Sequence, residues 1–259
     1  MLPLTSQVNN LMPPSLSIIT ATYNAEADLP NLIASLAAQT DADFEWVVAD
    51  GNSTDRTLEL IDKAKSQLKT VKVDSRPDFG IYDAFNRAIK LASGDYYVVV
   101  GADDVLFPEA VANYKRACAE TGADLVTACY YRGDQLIAGI RQPAWEWLWG
   151  MHAYVTGHAV GLAIRRDLHK EVGEYSRYFP IKGDELFILQ AIRQGASVVF
   201  RDFIAGRYGL QGTSGRDALG WIVESYRIQV KLGHSLVLST LLLLYRLIRC
   251  WPRIQEQRV

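Results

Sequence analysis

Short, continuously apolar runs alternate along the first half of the chain with stretches whose apolar positions recur every three or four residues. Leu16 to Thr22 (LSIITAT), Phe44 to Ala49 (FEWVVA) and Tyr96 to Val100 (YYVVV) read as buried strands, with Val71 to Val73 a shorter one. Asp28 to Gln39 places Leu29, Leu32, Ile33, Leu36 and Ala37 on one helical face, with Asp28 as a candidate N-cap. Thr57 to Leu68 and Ile81 to Ala92 repeat that spacing, and Pro108 is suited to open a helix that lasts to about Glu120. A strand over Ala123 to Tyr130 completes the order βαβαβαβαβ. Apolar strands alternating with amphipathic helices predict an α/β fold: a Rossmann-like, mainly parallel sheet with helices on both faces.

Beyond Tyr131 the pattern loosens. Gln135 to Arg141 reads as an edge strand, His158 to Ile164 as another strand, Asp184 to Gln194 as a helix and Ser197 to Ile204 as a late strand. Gln211 to Gly215 reads either as a lid or as a plain connector, flanked by Arg207 and Arg216. Ala218 to Trp251 reads as helical. The expected organisation is an arm over 1–15, one domain over 16–215 and a C-terminal helical extension over 216–259. The arm has no basic residue and no long apolar run, so it does not read as a signal peptide.

Half of the 259 residues are hydrophobic and 22% are charged, the balance of a folded protein with a sizeable core. A net charge of −2 gives no reason to expect a nucleic-acid partner. Cys118, Cys129 and Cys250 form no metal or disulfide pattern, which fits a reducing, cytoplasmic setting. Ser235 to Tyr245 carries no charge but falls short of the roughly twenty apolar residues a spanning helix needs. From Tyr226 onward stand six basic residues against one acidic, Glu256. The segment fits an interfacial helix on a membrane surface, or a core or dimer helix.

Ligands of open parallel sheets bind beyond the carboxyl ends of the strands. Asp50 follows the second strand, and Asp103 and Asp104 follow the fourth. Asp50 is either a turn former or a ligand to substrate. Adjacent Asp103 and Asp104 repel each other unless a cation is near; a divalent ion sharing substrate phosphates would relieve that, although paired acids also occur in simple loops. No GxxxxGK[ST], GxGxxG after the first strand, HExxH, CxxC or GxSxG is present.

Four segments taken together resemble glycosyltransferase family 2, of the GT-A fold: Ser17 to Asn24 (SIITATYN), Val47 to Thr57 (VVADGNSTDRT), Asp78 to Asp104 and Gly183 to Gly195 (GDELFILQAIRQG). The central segment is most similar to enzymes of bacterial exopolysaccharide and O-antigen synthesis. The resemblance implies an inverting transfer of a sugar from a nucleotide-sugar donor to a glycan or lipid-linked acceptor. It implies Thr22, Tyr23 and Glu26 around base and ribose, Asp50 on base or ribose, and Asp78 and Gly80 along the nucleotide and diphosphate. It implies Asp103 reaching ribose or sugar, Asp104 holding Mn²⁺ or Mg²⁺, and Asp184 as catalytic base. Gly101-Ala102 precedes the acidic pair where many relatives have Asn-Ala. The order Asp184-Glu185 inverts the family's usual pair, so the base stays open between those two.

Asp184 also reads as a plain N-cap. His158 reads either as facing acceptor or diphosphate, or as a hydrogen-bonded core or wall residue. Trp145, Trp147 and Trp149 suit stacking on an acceptor sugar, core packing or contact with a membrane interface. The setting expected for such an enzyme is cytoplasmic, peripheral on the inner face of the membrane. Two other classes remain. A nucleotidyltransferase would carry a Gly-rich basic loop after the first strand, where TYNAEAD stands. A catalytically silent nucleotide-sugar-binding protein would not need the intact acids.

Overall fold

The computed structural model describes residues 14–139, 143–210 and 217–257. In chain order the first half runs β1 (Leu16–Thr22), α1 (Leu29–Ala37), β2 (Glu45–Asp50), α2 (Thr57–Ala64), β3 (Val71–Ser75), α3 (Ile81–Leu91), β4 (Tyr96–Val99), β5 (Val105–Leu106), α4 (Ala110–Thr121) and β6 (Leu125–Arg132). The second half adds β7 (Gln135–Ile137), α5 (Glu146–Trp149), β8 (Leu162–Arg165), α6 (Leu168–Val172), α7 (Gly183–Arg193) and β9 (Val198–Tyr208). It closes with α8 (Ala218–Lys231), α9 (Leu236–Arg249) and α10 (Trp251–Glu256).

The strands form one sheet in the order β3-β2-β1-β4-β8-β6-β9-β5, with β7 hanging on β6. The β3-β2-β1-β4 half is parallel, as the apolar runs predict. The other half departs from a simple parallel continuation. β8 lies antiparallel between β4 and β6, so β6 does not pair with β4. β9 pairs in parallel with β6 and antiparallel with β5.

Alternate side chains of each strand enter two cores. Ile18, Trp46, Val48, Val98 and Val126 pack with α1, α2 and α4. Ile19, Val47, Ala49, Tyr97, Val99 and Leu125 pack with α3, α6 and α7 on the opposite face. Burial on both faces is why β1, β2 and β4 are mostly apolar, and why their polar members Ser17, Thr20, Thr22, Glu45 and Asp50 are hydrogen-bonded.

Several boundaries differ from the sequence pattern. The strand expected over His158 to Ile164 begins at Leu162. Residue Val160 adopts φ 62, a left-handed conformation that breaks extended pairing. Pro108 precedes α4, which starts at Ala110 behind Glu109. Asp28 sits at the N-cap of α1 without a side-chain cap bond, and Pro30 occupies the first turn. β9 runs on to Tyr208, four residues beyond the expected end, with its register shifting twice against β6. The C-terminal helical stretch breaks into three, the first break at Gly233 (φ 77). The Gln211 to Gly215 loop, Arg216 and most of the 1–15 arm lie outside the described residues.

Candidate active site

The parallel half delivers its loops to one rim. Asp50, the last residue of β2, is wholly buried. Its carboxylate accepts from Thr22 Oγ1 at 2.9 Å, the Ser53 amide at 2.9 Å, Ser53 Oγ at 2.5 Å and Ser75 Oγ at 2.7 Å. Burial pushes its pKa up, but these donors outweigh burial and hold it below the usual value. Its oxygens are occupied from within, so Asp50 stands beneath the site and ties three loops together. Thr22, buried beside it, is spent in the same network.

Above this base lie the β1–α1 and β2–α2 loops, stitched by the Asn24 side chain, which accepts from the Thr54 amide at 2.9 Å. Tyr23 is exposed, and Glu26 pairs with Arg56 at 3.2 Å. Gly51 brings Tyr23 and Asp78 together: a Cβ there would meet Asp78 Oδ2 at 2.8 Å and Tyr23 Cδ2 at 3.3 Å. Asp78 accepts from the Gly80 amide at 2.9 Å, and Gly80 (φ 105) turns the chain into α3 with a backbone that favours glycine. Beneath this loop the buried Arg87 gathers Asp74 at 3.2 Å, Asp78 at 3.7 Å and Asp83 at 3.9 Å. The sequence reading missed Arg87; its signal was a basic residue four positions after Asp83 on the inner face of an amphipathic helix.

The two members of the acidic pair after β4 differ in burial. Asp104 is 1% exposed. Its Oδ2 accepts from the Gly101 amide at 2.6 Å and its Oδ1 from the Gly209 amide at 2.7 Å. Burial pushes its carboxyl up to about 7, against the two amide donors and with neighbouring Asp103 adding to the rise. Through these two backbone amides the Asp104 carboxylate clasps the β4 end to the β9 end. Asp103 is the partly exposed member, lining a groove with Asn31, Arg207 and Gly209. Among the described residues no three His, Cys, Asp or Glu side chains converge as a metal cage. One accessible carboxylate fits a hard divalent ion held jointly with substrate phosphates and water. Arg207, beside it, reaches Asp134 at 3.7 Å and lies over the Tyr131 ring.

Asp184 sits in the first turn of α7, behind Lys182, so it does not serve as the N-cap. Its side chain is 18% exposed. Oδ1 accepts from Tyr82 Oη at 2.7 Å and from the Glu185 amide at 2.8 Å. Glu185 is buried and paired with Lys182 at 2.7 Å. Of the two acids, Asp184 is therefore the one that reaches the surface. The turn that presents it is fixed from α8: Glu224 accepts from the Ile181 amide at 3.1 Å and the Lys182 amide at 2.8 Å. His158 is buried behind Asp184, its Nδ1 3.7 Å from Oδ2, rather than in the wall of an open groove. Tyr82 and Glu224 were not singled out in sequence because their contacts come from segments about 40 to 100 residues away; the Lys182–Glu185 pair, three residues apart, was within reach of the sequence.

A sheet of this order, with carboxylates delivered by separate loops to the rim at the ends of β1 to β4, is the GT-A fold. Solved structures agree on the fold. S. aureus TarS, residues 1–349, in complex with UDP-GlcNAc aligns with a TM-score of 0.66 at 22% identity over 92% of this chain and 73% of that one. The mannosyltransferase PcManGT from Pyrobaculum calidifontis, in complex with GDP-Man and Mn²⁺, aligns with a TM-score of 0.65 at 14% identity, over 93% of this chain and 76% of that one.

The sequence profile of Glycosyl transferase family 2 matches residues 17–202, and the chain belongs to that family. A PGL/p-HBAD biosynthesis glycosyltransferase of Mycobacterium bovis is 42% identical over 95 residues, 36% of this chain and 37% of that protein. The hyaluronan synthase of Pasteurella multocida is 33% identical over 126 residues, 49% of this chain and 12% of that protein. The matched stretches thus cover little more than a third, or less, of these curated relatives.

Proposed function

We propose that the protein is an inverting glycosyltransferase that moves a sugar from a nucleoside-diphosphate sugar to an acceptor hydroxyl in the synthesis of cell-surface polysaccharide or a lipid-linked glycan. The observation that carries this reading is Asp184: a rim carboxylate with Oδ1 fixed by two donors and a partly exposed side chain. Such a group can take a proton from an attacking hydroxyl. Attack from the face opposite the leaving group inverts the anomeric centre. Tyr23, Asp78 and Gly80 flank the base, ribose and diphosphate of the donor, with Glu26 ordering the first loop through Arg56. Asp103 holds Mn²⁺ or Mg²⁺ together with the diphosphate. When bound, that ion offsets the charge developing on the departing nucleoside diphosphate. Asp50 and Asp104 set the positions of these loops. The bound nucleotide-sugars of TarS and PcManGT support a donor of this class.

The enzyme works at the inner face of a membrane, through α9. Among the described residues no helix is long and apolar enough to cross a bilayer. α9 nevertheless turns Val237 (68%), Leu241, Leu244 and Ile248 (77%) outward along one stripe. Tyr245 and Trp251 are exposed beside it, and Arg249 and Arg253 stand at its end without an acidic residue in the helix. An apolar stripe edged by aromatics and cations is complementary to an anionic lipid surface.

Thermal shift against a panel of nucleotides and nucleotide-sugars with Mn²⁺ or Mg²⁺, followed by nucleoside diphosphate release with and without EDTA, tests the reading. The expected result is stabilisation by one donor class and metal-dependent release that rises with acceptor. Binding without any release would overturn it.

A further inference from the structure

A buried polar chain that the reaction above leaves unused runs inward from Asp184. His158 places Nε2 2.8 Å from Tyr175 Oη. Tyr175 Oη lies 2.7 Å from Tyr97 Oη, which lies 2.8 Å from His169 Nε2. His169 Nδ1 lies 2.9 Å from the carbonyl oxygen of Gly173.

The polarity of this chain follows from its far end. A carbonyl oxygen can only accept, so His169 carries its proton on Nδ1. Burial holds His169 down to about 4, so near neutral pH the ring is uncharged and Nε2 accepts from Tyr97. With the Tyr97 hydrogen committed, Tyr175 donates to Tyr97, and His158 donates its Nε2–H to Tyr175. Burial also lowers the His158 pKa, with Asp184 partly opposing, and a neutral ring protonated on Nε2 has a bare lone pair on Nδ1. That lone pair faces Asp184 Oδ2 at 3.7 Å.

Two acceptors therefore look at each other across a short gap in the resting enzyme. The pair becomes complementary once Oδ2 carries a proton; closing to hydrogen-bond length takes about 0.8 Å. The loop that carries His158 is well fixed. Val160, fully buried with φ 62, donates its amide to Val99 O at 2.8 Å, and its carbonyl accepts from Tyr114 at 2.6 Å. A β-branched residue holds such a conformation only where its surroundings over-determine it. The titratable groups around His158 are Asp184 on α7, Tyr82 on α3, Tyr97 on β4, His169 on α6 and Tyr175 before α7.

We propose that His158 is a positioning residue for the base: the Tyr175–Tyr97–His169–Gly173 chain fixes its tautomer so that bare Nδ1 receives a hydrogen bond from Asp184 after Oδ2 has taken the acceptor's proton. The inference rests on Asp184 being the base. As the new bond from acceptor oxygen to anomeric carbon forms, the bond from that carbon to the phosphate oxygen breaks with its electron pair. The acceptor's proton moves to Asp184 Oδ2, and His158 gains and loses none.

The test combines ¹⁵N NMR of the histidines in the whole protein with kinetics of three variants. Wild-type His158 is expected as the Nε2–H tautomer. His158→Phe removes the acceptor and is expected to lower kcat roughly tenfold or more while donor KM holds, and to displace the acid-side limb of kcat against pH. His158→Gln, whose amide oxygen can accept, restores a large part of the loss. Tyr175→Phe frees the ring to populate both tautomers and lowers kcat less. An Nδ1–H resting tautomer overturns the proposal without any variant needing to fold. Equal losses for Phe and Gln with an unmoved pH limb also overturn it, leaving a packing role. Near-normal turnover of Asp184→Asn instead removes the underlying base assignment, whatever the His158 variants do.

Discussion

Replacing Asp184 by Asn changes one atom of the proposed base and leaves its supports in place. The asparagine amide oxygen fits the Oδ1 position, where Tyr82 donates at 2.7 Å and the Glu185 amide at 2.8 Å. Its NH₂ then falls on the Oδ2 side, facing the acceptor nitrogen of His158. The orientation is dictated by these partners, so the variant keeps the fold. Exchanging a charged acceptor for a neutral one weakens the Tyr82 bond by about 1 kcal/mol, the expected scale of the stability change. The catalytic loss is of another order. General-base catalysis contributes about a hundred- to ten-thousand-fold, or roughly 3–5 kcal/mol of barrier. Turnover would be followed by nucleoside diphosphate release at saturating donor and acceptor, alongside melting temperature and donor affinity. The expected result is a kcat at least about a hundredfold lower with donor affinity and melting nearly unchanged. A kcat within a few-fold of wild type would refute the assignment.

Three further outcomes are expected. Asp103→Asn should raise the Mn²⁺ concentration needed for half-maximal activity with little change in melting, whereas Asp104→Asn, which cannot accept from both Gly101 and Gly209, should lower stability by about 1–2 kcal/mol; the reverse pattern would return the metal to Asp104. His169 is held from 6.5 down to about 4 in the folded state by burial, so the unfolded chain takes up its proton first. Stability should therefore fall as pH drops below about 6.5 and level off near 4, by on the order of 3 kcal/mol for this group, and denaturant unfolding that is flat across that window would contradict the burial. Leu241→Glu together with Ile248→Glu should cut co-flotation with phosphatidylglycerol-rich vesicles by at least about tenfold, each lost apolar contact being worth about 1.5–3 kcal/mol, while turnover on a soluble acceptor is kept; wild-type protein that ignores vesicles and dimerises instead would assign α9 to a protein interface.

The parallel half of the fold could be read from sequence because β1, β2 and β4 are buried on both faces, and burial on both faces leaves nearly unbroken apolar runs. β8 was harder: an apolar run states that a strand is covered, not which neighbours it pairs with or in which direction. Its true start at Leu162 depends on the left-handed turn at Val160, for which a valine gives no warning. Asp103 and Asp104 could be found as a pair but not told apart, since what closes off Asp104 is the amide of Gly209, 105 residues later. Asp184 and Glu185 likewise differ through a neighbour, Lys182, that withdraws Glu185 into an internal pair.

The reach of Glu224 across to Ile181 and Lys182 has a practical meaning for anyone shortening the protein. A truncation near residue 215, where the resemblance to the family ends, removes the acceptor for two amides at the head of the helix that presents Asp184. Those amides would be left to water or to nothing, at about 1–3 kcal/mol apiece if they stay covered. The shortened enzyme would be expected to bind donor through its first four strands yet turn over poorly, a phenotype easily mistaken for loss of membrane contact.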